Sequence, residues 1–183
     1  MPRRSRGTTG GFLYHVMNRA VRRAALFEDD SEFADFERLL EQGLQRVPVR
    51  LLSYSAMLTH WHLVLWPTGD RDLPRFMHWV TTKLANGWHA RRGTRGTGPV
   101  YQGRYKGVRI EDERQMWTSL RYVERNALAA KLVQRAEEWR WCSLWRRIND
   151  PDCNWLSPWP VPVPLNWLDL VNTEGALPGR DER

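Results

Sequence analysis

The chain has 183 residues, with 28 Lys and Arg against 21 Asp and Glu, for a formal net charge of +7. That length supports one domain with a real core plus a tail. No apolar run approaches the ~20 residues of a membrane span, and two cysteines, Cys142 and Cys153, are too few for a disulfide framework and lack zinc-type spacing. The N-terminus is basic without the apolar stretch of a signal peptide, so a soluble, cytoplasmic protein with no membrane partner is expected.

Almost all the basic charge is Arg, which suits planar, bidentate phosphate contacts. Residues 1–27 carry six Arg and no acid, residues 73–110 carry eight Lys and Arg and no acid, and residues 148–183 carry six acids against two Arg. A basic body with an acidic tail points to a polyanionic partner, most simply nucleic acid. A generally basic soluble protein is the alternative.

In chain order, residues 1–10 read as a basic, flexible arm rich in Arg, Ser and Gly. Phe12–Asn18 reads as a first strand whose His15 is taken as structural unless it faces the site, and Arg19–Arg23 as a basic loop. Asp29 to Ser31 supply caps for a helix whose Phe33, Phe36, Leu39, Leu40 and Leu44 follow helical spacing, closed by Pro48. Arg50–Leu58 and His60–Trp66 form an antiparallel hairpin. A second amphipathic helix carries Leu73, Phe76, Met77, Val80, Leu84 and Trp88 on one face. A cationic Gly/Thr/Arg loop leads to Tyr101–Ile110, which interleaves Arg and Tyr before a fourth strand, a pattern suited to a phosphate backbone with stacked bases or to an edge strand. A third helix covers Glu113–Leu128, and residues 129–147 are expected to continue as a helical piece. From Asn149 onward, Pro and Trp dominate an extended tail packed on the body. The order βαββαβ followed by helices predicts an α+β fold: a ferredoxin-like antiparallel sheet with helices on one face, a C-terminal helical extension and a tail, the domain proper covering 11–147 and the tail 148–183.

Two constellations carry chemistry. In Met57-Leu-Thr-His-Trp-His-Leu63 the histidines at 60 and 62 share one face of a strand while Trp61, Leu63 and Leu65 form the other. Two imidazoles side by side above a sheet can hold a divalent metal; two satisfied histidines are the alternative reading. On the third helix, Tyr122 lies off the stripe of Met116, Leu120, Val123 and Ala127, with Asn126 one turn on. An amide oxygen can complete a metal site begun by two His, and a phenol can attack a group held there. A solvated Tyr–Asn pair is the alternative.

Together these residues resemble the single-tyrosine HUH transposases, and more closely the REP-associated tyrosine transposases. The resemblance runs from about residue 11 to 147. It is carried by Tyr14-His-Val-Met-Asn-Arg19, the metal strand, Tyr101-Gln-Gly-Arg-Tyr-Lys106, Leu120-Arg-Tyr-Val-Glu-Arg-Asn126 and Trp139-Arg-Trp-Cys-Ser143. Two places depart from the family pattern. Leu58-Thr59 stand where the family usually has Pro-Asn, and Asn126-Ala-Leu-Ala-Ala130 lacks the usual Pro and Arg.

The resemblance implies metal-dependent cleavage and joining of single-stranded or hairpin DNA by a monomer or homodimer. His60, His62 and Asn126 would hold Mg²⁺ or Mn²⁺, and Tyr122 would form a 5′-phosphotyrosine. Arg19, Arg22, Arg23, Arg104, Lys106 and Arg109 are the expected DNA contacts. The competing reading is a catalytically inactive DNA- or RNA-binding ferredoxin-like module. A hydrolase with three alternating His on one strand is disfavoured, because position 64 is Val.

Overall fold

A computed structural model describes residues 8–175. Strand β1 (Leu13–Arg19), helix α1 (Asp30–Arg46), β2 (Val49–Met57), β3 (His60–Pro67), α2 (Asp72–Arg92) and β4 (Lys106–Ile110) make the expected βαββαβ unit. Helices α3 (Glu113–Ala129), α4 (Ser143–Asn149) and α5 (Trp167–Asn172) follow. The strands pair antiparallel in the order β2-β3-β1-β4, so the fold is α+β and ferredoxin-like, as its pattern predicts. No helix of the described residues is long and apolar enough to cross a membrane.

Local chemistry sets the ends of the helices. The Asp29 carboxylate accepts the backbone N–H groups of Ser31 and Glu32 at the start of α1, and Asp112 accepts that of Gln115 at the start of α3, each satisfying donors that have no partner within the helix. Helix α2 stops at Gly93, whose φ of 61° suits a residue without Cβ. Residues 1–7 of the expected basic arm lie outside the described residues; Thr8 and Gly10 hydrogen bond the backbone and carboxylate of Asp70.

Alternation along the strands divides the apolar residues between two cores. Tyr14, Val16, Tyr54, Ala56, Trp61, Leu63 and Leu65 meet Phe33, Phe36 and Leu40 of α1 and Leu73, Phe76 and Val80 of α2. The opposite face presents Leu52, Val64 and Ile110 to Met116, Leu120 and Val123 of α3, with Leu144, Trp159, Trp167 and Val171 beyond them. Thus α1 and α2 occupy one face, and the C-terminal extension, beginning with α3, closes part of the other. A bulge in β2 serves both cores. Leu51 pairs with Leu65 and Ser53 with Val64, and the extra residue, Leu52, joins the α3 side, so that Tyr54 returns to the first core opposite Leu63.

Residues 129–147 are not one helical piece. Lys131 takes a left-handed φ of 58°, and a 3-10 turn at Ala136–Glu138 precedes a segment that runs extended along the outer edge of β2. There the Ala56 N–H donates to Trp141 O, the Trp139 indole donates to Ala56 O, and Cys142 bridges Ser55. The tail continues the cover: Leu156 bridges Leu51, the Ser157 N–H donates to Leu51 O, and the Trp159 indole donates to Leu52 O. An edge strand's unpaired groups need such partners, and this need outweighs the local helical pattern. The tail is extended and held by its tryptophans as expected, apart from the six-residue α5.

The charge map also changes on folding. Arg92 pairs with Glu32 at 2.7 Å, Arg91 with Asp35, and Arg75 with Asp72 at 3.4 Å. Part of the acid-free 73–110 stretch is therefore neutralised by acids of α1 and of the start of α2.

Candidate active site

The site lies where the start of β3 passes under α3. Residues directly opposite in an antiparallel pair share a face. Arg19 stands opposite His60, Met17 opposite His62 and His15 opposite Val64. On the other flank of β3, Met57 and Ser55 stand opposite His60 and His62. The two imidazoles therefore sit in the middle of the sheet face that α3 partly covers, 5.2 Å apart by ring centroids and nearly perpendicular. Helix α3 aims Tyr122 at them, its ring 5.3 Å from that of His62. Tyr122 stays 52% exposed while His62 is 1% exposed, so the phenol is open to a large substrate and the imidazole beneath it is not. Asn126, buried one turn further along, lies near enough to the His60 side chain to favour its protonated form. The sequence-predicted His60, His62, Tyr122 and Asn126 thus converge on one place.

Both imidazoles are held neutral at pH 7. Burial pushes His62 down to about 2, with the charges of His15, His60 and Arg19 adding to it. Burial also lowers His60, Arg19 lowers it further, and the Asn126 side chain partly offsets both. Neutral imidazole is the metal-binding form. Among the described residues no three His, Cys, Asp or Glu gather as a metal cluster; the Asn126 amide, near His60, is the candidate third ligand. Two neutral imidazoles and an amide oxygen fit an octahedral cation that keeps open positions for water and phosphate.

His15 belongs to the site, contrary to its reading as structural. Its Nε2 is 3.0 Å from Nδ1 of His62, and its ring is 5.6 Å from that of Tyr122. The signal was present in part, because His15 and Arg19 share one face of β1, but the register that puts that face against His62 is not a local property. The departure at Leu58-Thr59 is accommodated by the turn between β2 and β3. Leu58 O accepts the N–H of Leu26, Thr59 O accepts that of Ala20, and Thr59 Oγ1 lies 3.2 Å from Nδ1 of His60. The missing Pro and Arg after Asn126 leave α3 running on to Ala129.

The six expected DNA contacts do not all cluster. Arg19 lies beside the histidines, its buried Nε without a hydrogen-bond partner. Arg22 and Arg23 are exposed on the 3-10 turn that follows β1. Arg104 and Lys106 are exposed, and Lys106 stands opposite Met17, on the histidine face. Arg109 stands opposite Tyr14, on the other face, where Glu111 binds it at 2.7 and 2.8 Å and Phe12 lies under its guanidinium. Arg121 and Arg125, next to the nucleophile candidate, point away and donate to the carbonyls of Leu170 and Val171 in α5. Beside His15, a cleft of about 450 Å³ opens between β4 and α3, lined by Val108, Gln115, Thr118 and Ser119.

Comparison with known proteins bears on the family and the fold. A family model described as IS200-like transposase matches residues 8–126. A REP-associated tyrosine transposase, solved bound to a REP hairpin, superposes with a TM-score of 0.66 at 16% identity, over 100% of this chain and 98% of that one. A putative transposase from Deinococcus radiodurans R1 gives a TM-score of 0.47 at 17% identity, over 67% of this chain and 95% of that one. No curated protein sequence matches.

Proposed function

The chain belongs to the IS200-like transposase family, and on that premise we propose that it is a REP-associated tyrosine transposase that nicks and rejoins single-stranded or hairpin DNA. The observation that carries this reading is the meeting of the Tyr122 ring with that of His62, which itself lies beside His60. The resemblance to the single-tyrosine HUH transposases implies a divalent metal. His60, His62 and Asn126 would hold it as Mg²⁺ or Mn²⁺, and it would polarise the scissile phosphate and offset the charge that builds there. Tyr122 Oη attacks phosphorus, losing its proton. The new bond is a 5′-phosphotyrosine, the broken one is P–O3′, and the departing oxygen is protonated to a free 3′-OH. A second 3′-OH reverses the step, so joining needs no ATP. Arg19, which stands opposite His60, would contact the phosphate. The neighbour of the same fold was solved with a REP hairpin, and hairpin DNA is the substrate class proposed for this chain.

The test uses end-labelled hairpin DNA with single-stranded flanks, Mn²⁺ and a denaturing gel. A protein–DNA adduct that EDTA prevents is the expected result. Tight hairpin binding with neither adduct nor nick would favour the inactive binding module instead.

The basic residues make a finer prediction. Lys106→Ala weakens binding evenly across DNA sequences and lowers the slope of log K against log salt by about 1. Arg109→Ala has a smaller effect, since its guanidinium is already bound by Glu111 on the other face of the sheet. Fluorescence anisotropy over a salt series reads both. Equal effects of the two substitutions would overturn the assignment of DNA to the histidine face.

A further inference from the structure

We propose that His15 is a positioning residue for this centre: it accepts a hydrogen bond from Nδ1–H of His62 and so holds that imidazole in the tautomer whose Nε2 lone pair is available to a divalent cation. The inference rests on the reading of His60, His62 and Asn126 as a cation site. The observation is the 3.0 Å contact between Nε2 of His15 and Nδ1 of His62. One proton lies between two neutral imidazoles, so only two arrangements exist. If His15 donates, the remaining proton of His62 sits on Nε2 and that nitrogen cannot bind a metal. If His62 donates, Nε2 is free.

His60 has the same arrangement built from a different residue. Thr59 Oγ1, 3.2 Å from Nδ1 of His60, can accept its proton and leave the Nε2 of His60 unprotonated. Each imidazole of the pair therefore has its Nδ1 engaged by a neighbour. Partners of this kind orient metal-binding histidines and raise their basicity.

The sheet holds His15 in place. It sits diagonally across from His62, on a strand paired to β3 on one side and to β4 on the other. The Tyr122 ring lies against both His15 and His62. The position cannot drift without breaking two ladders of backbone hydrogen bonds, so an acceptor for His62 is built into the middle of the sheet.

The experiment titrates the full chain with Mn²⁺, without DNA, and reads free Mn²⁺ by electron paramagnetic resonance. Wild type, His15→Gln, His15→Phe and His62→Ala are compared, with folding checked by circular dichroism. We expect His62→Ala to abolish binding, His15→Phe to raise Kd by about 10- to 100-fold, and His15→Gln, whose amide oxygen can accept in place of Nε2, to stay within about threefold of wild type. A folded His15→Phe that binds Mn²⁺ as wild type does, while His62→Ala does not, overturns the positioning role and leaves the metal site standing. Identical titrations for wild type and His62→Ala overturn both. A second measurement needs no variant: long-range ¹H–¹⁵N correlation on histidine-labelled wild type reads the His62 tautomer. An Nδ1–H form supports the proposal, and an Nε2–H form overturns it.

Discussion

Replacing Tyr122 by Phe is expected to abolish the covalent protein–DNA adduct and to lower strand cleavage by at least about 10³-fold, because in the proposed reaction the lost hydroxyl oxygen is the atom that bonds phosphorus. Fold and DNA affinity stay near wild type, since the hydroxyl lost belongs to a half-exposed ring. The other four tyrosines are unsuited to replace it. Tyr101 is packed against Trp61 on the opposite face, and burial raises its hydroxyl well above the usual phenol range. Tyr54 is buried and donates to Glu37. The Tyr14 hydroxyl bonds the backbone of Thr9. Tyr105 packs against the α1–α2 core. An adduct that survives Tyr122→Phe with unchanged yield would remove Tyr122 from its role and, with it, the reading of the site.

Glu124→Ala is the substitution expected to cost most stability, about 3–5 kcal/mol by urea unfolding. Glu124 lies on α3 between Tyr122 and Asn126 but points to the other side of the helix and is completely buried. Its carboxylate accepts from Ser143 Oγ at 2.8 Å, Trp167 Nε1 at 2.8 Å and Ser53 Oγ at 3.4 Å, with Arg147 nearby. One side chain thus ties α3 to β2, α4 and the tail, and removing it takes the acceptor from the Trp167 indole N–H and from the Ser143–Ser53 hydroxyl pair and leaves the Arg147 guanidinium without its neighbouring carboxylate.

The same residue makes a pH prediction. Burial raises the Glu124 carboxyl above its ordinary value, and this outweighs the lowering by Trp167, Ser143, Arg147 and Ser53. The folded state therefore holds that proton more tightly than the unfolded chain does. The resulting stability is fully present below the ordinary glutamate range and is lost as pH rises through the raised native value. Glu124→Gln, uncharged throughout, should flatten that decline. Parallel curves for wild type and Glu124→Gln across the acid-to-neutral range would mean that the carboxyl does not carry the effect.

Much of the site is local in origin and readable along the chain. A period of two puts His60 and His62 on one face of a strand, and a period of 3.6 puts Asn126 one turn from Tyr122, off the apolar stripe. The hairpin between β2 and β3 follows from two β-rich runs separated by a two-residue turn, and the caps at Asp29 and Asp112 come from side-chain chemistry within three residues. These features depend on torsions and near neighbours, which the chain dictates wherever it lies.

Other features depend on register and on what covers an edge. His15 and Arg109 are both on strands and both near the right segments, yet pairing puts His15 on the histidine face and Arg109 on the other. A shift of one residue would exchange them, because side chains alternate with every residue. Residues 139–142 have a helical neighbourhood but run extended, since the open edge of β2 offers backbone partners. The basic stretch 73–110 looks uniformly cationic until α1 brings Glu32 and Asp35 against Arg92 and Arg91. The residue types and local geometry needed for a tyrosine nucleophile and a two-histidine centre are thus present in the linear chain. The third imidazole, the unequal standing of the arginines and the tying of α3 to the tail arise only when segments distant in the chain meet, because long-range pairing selects which face each residue shows.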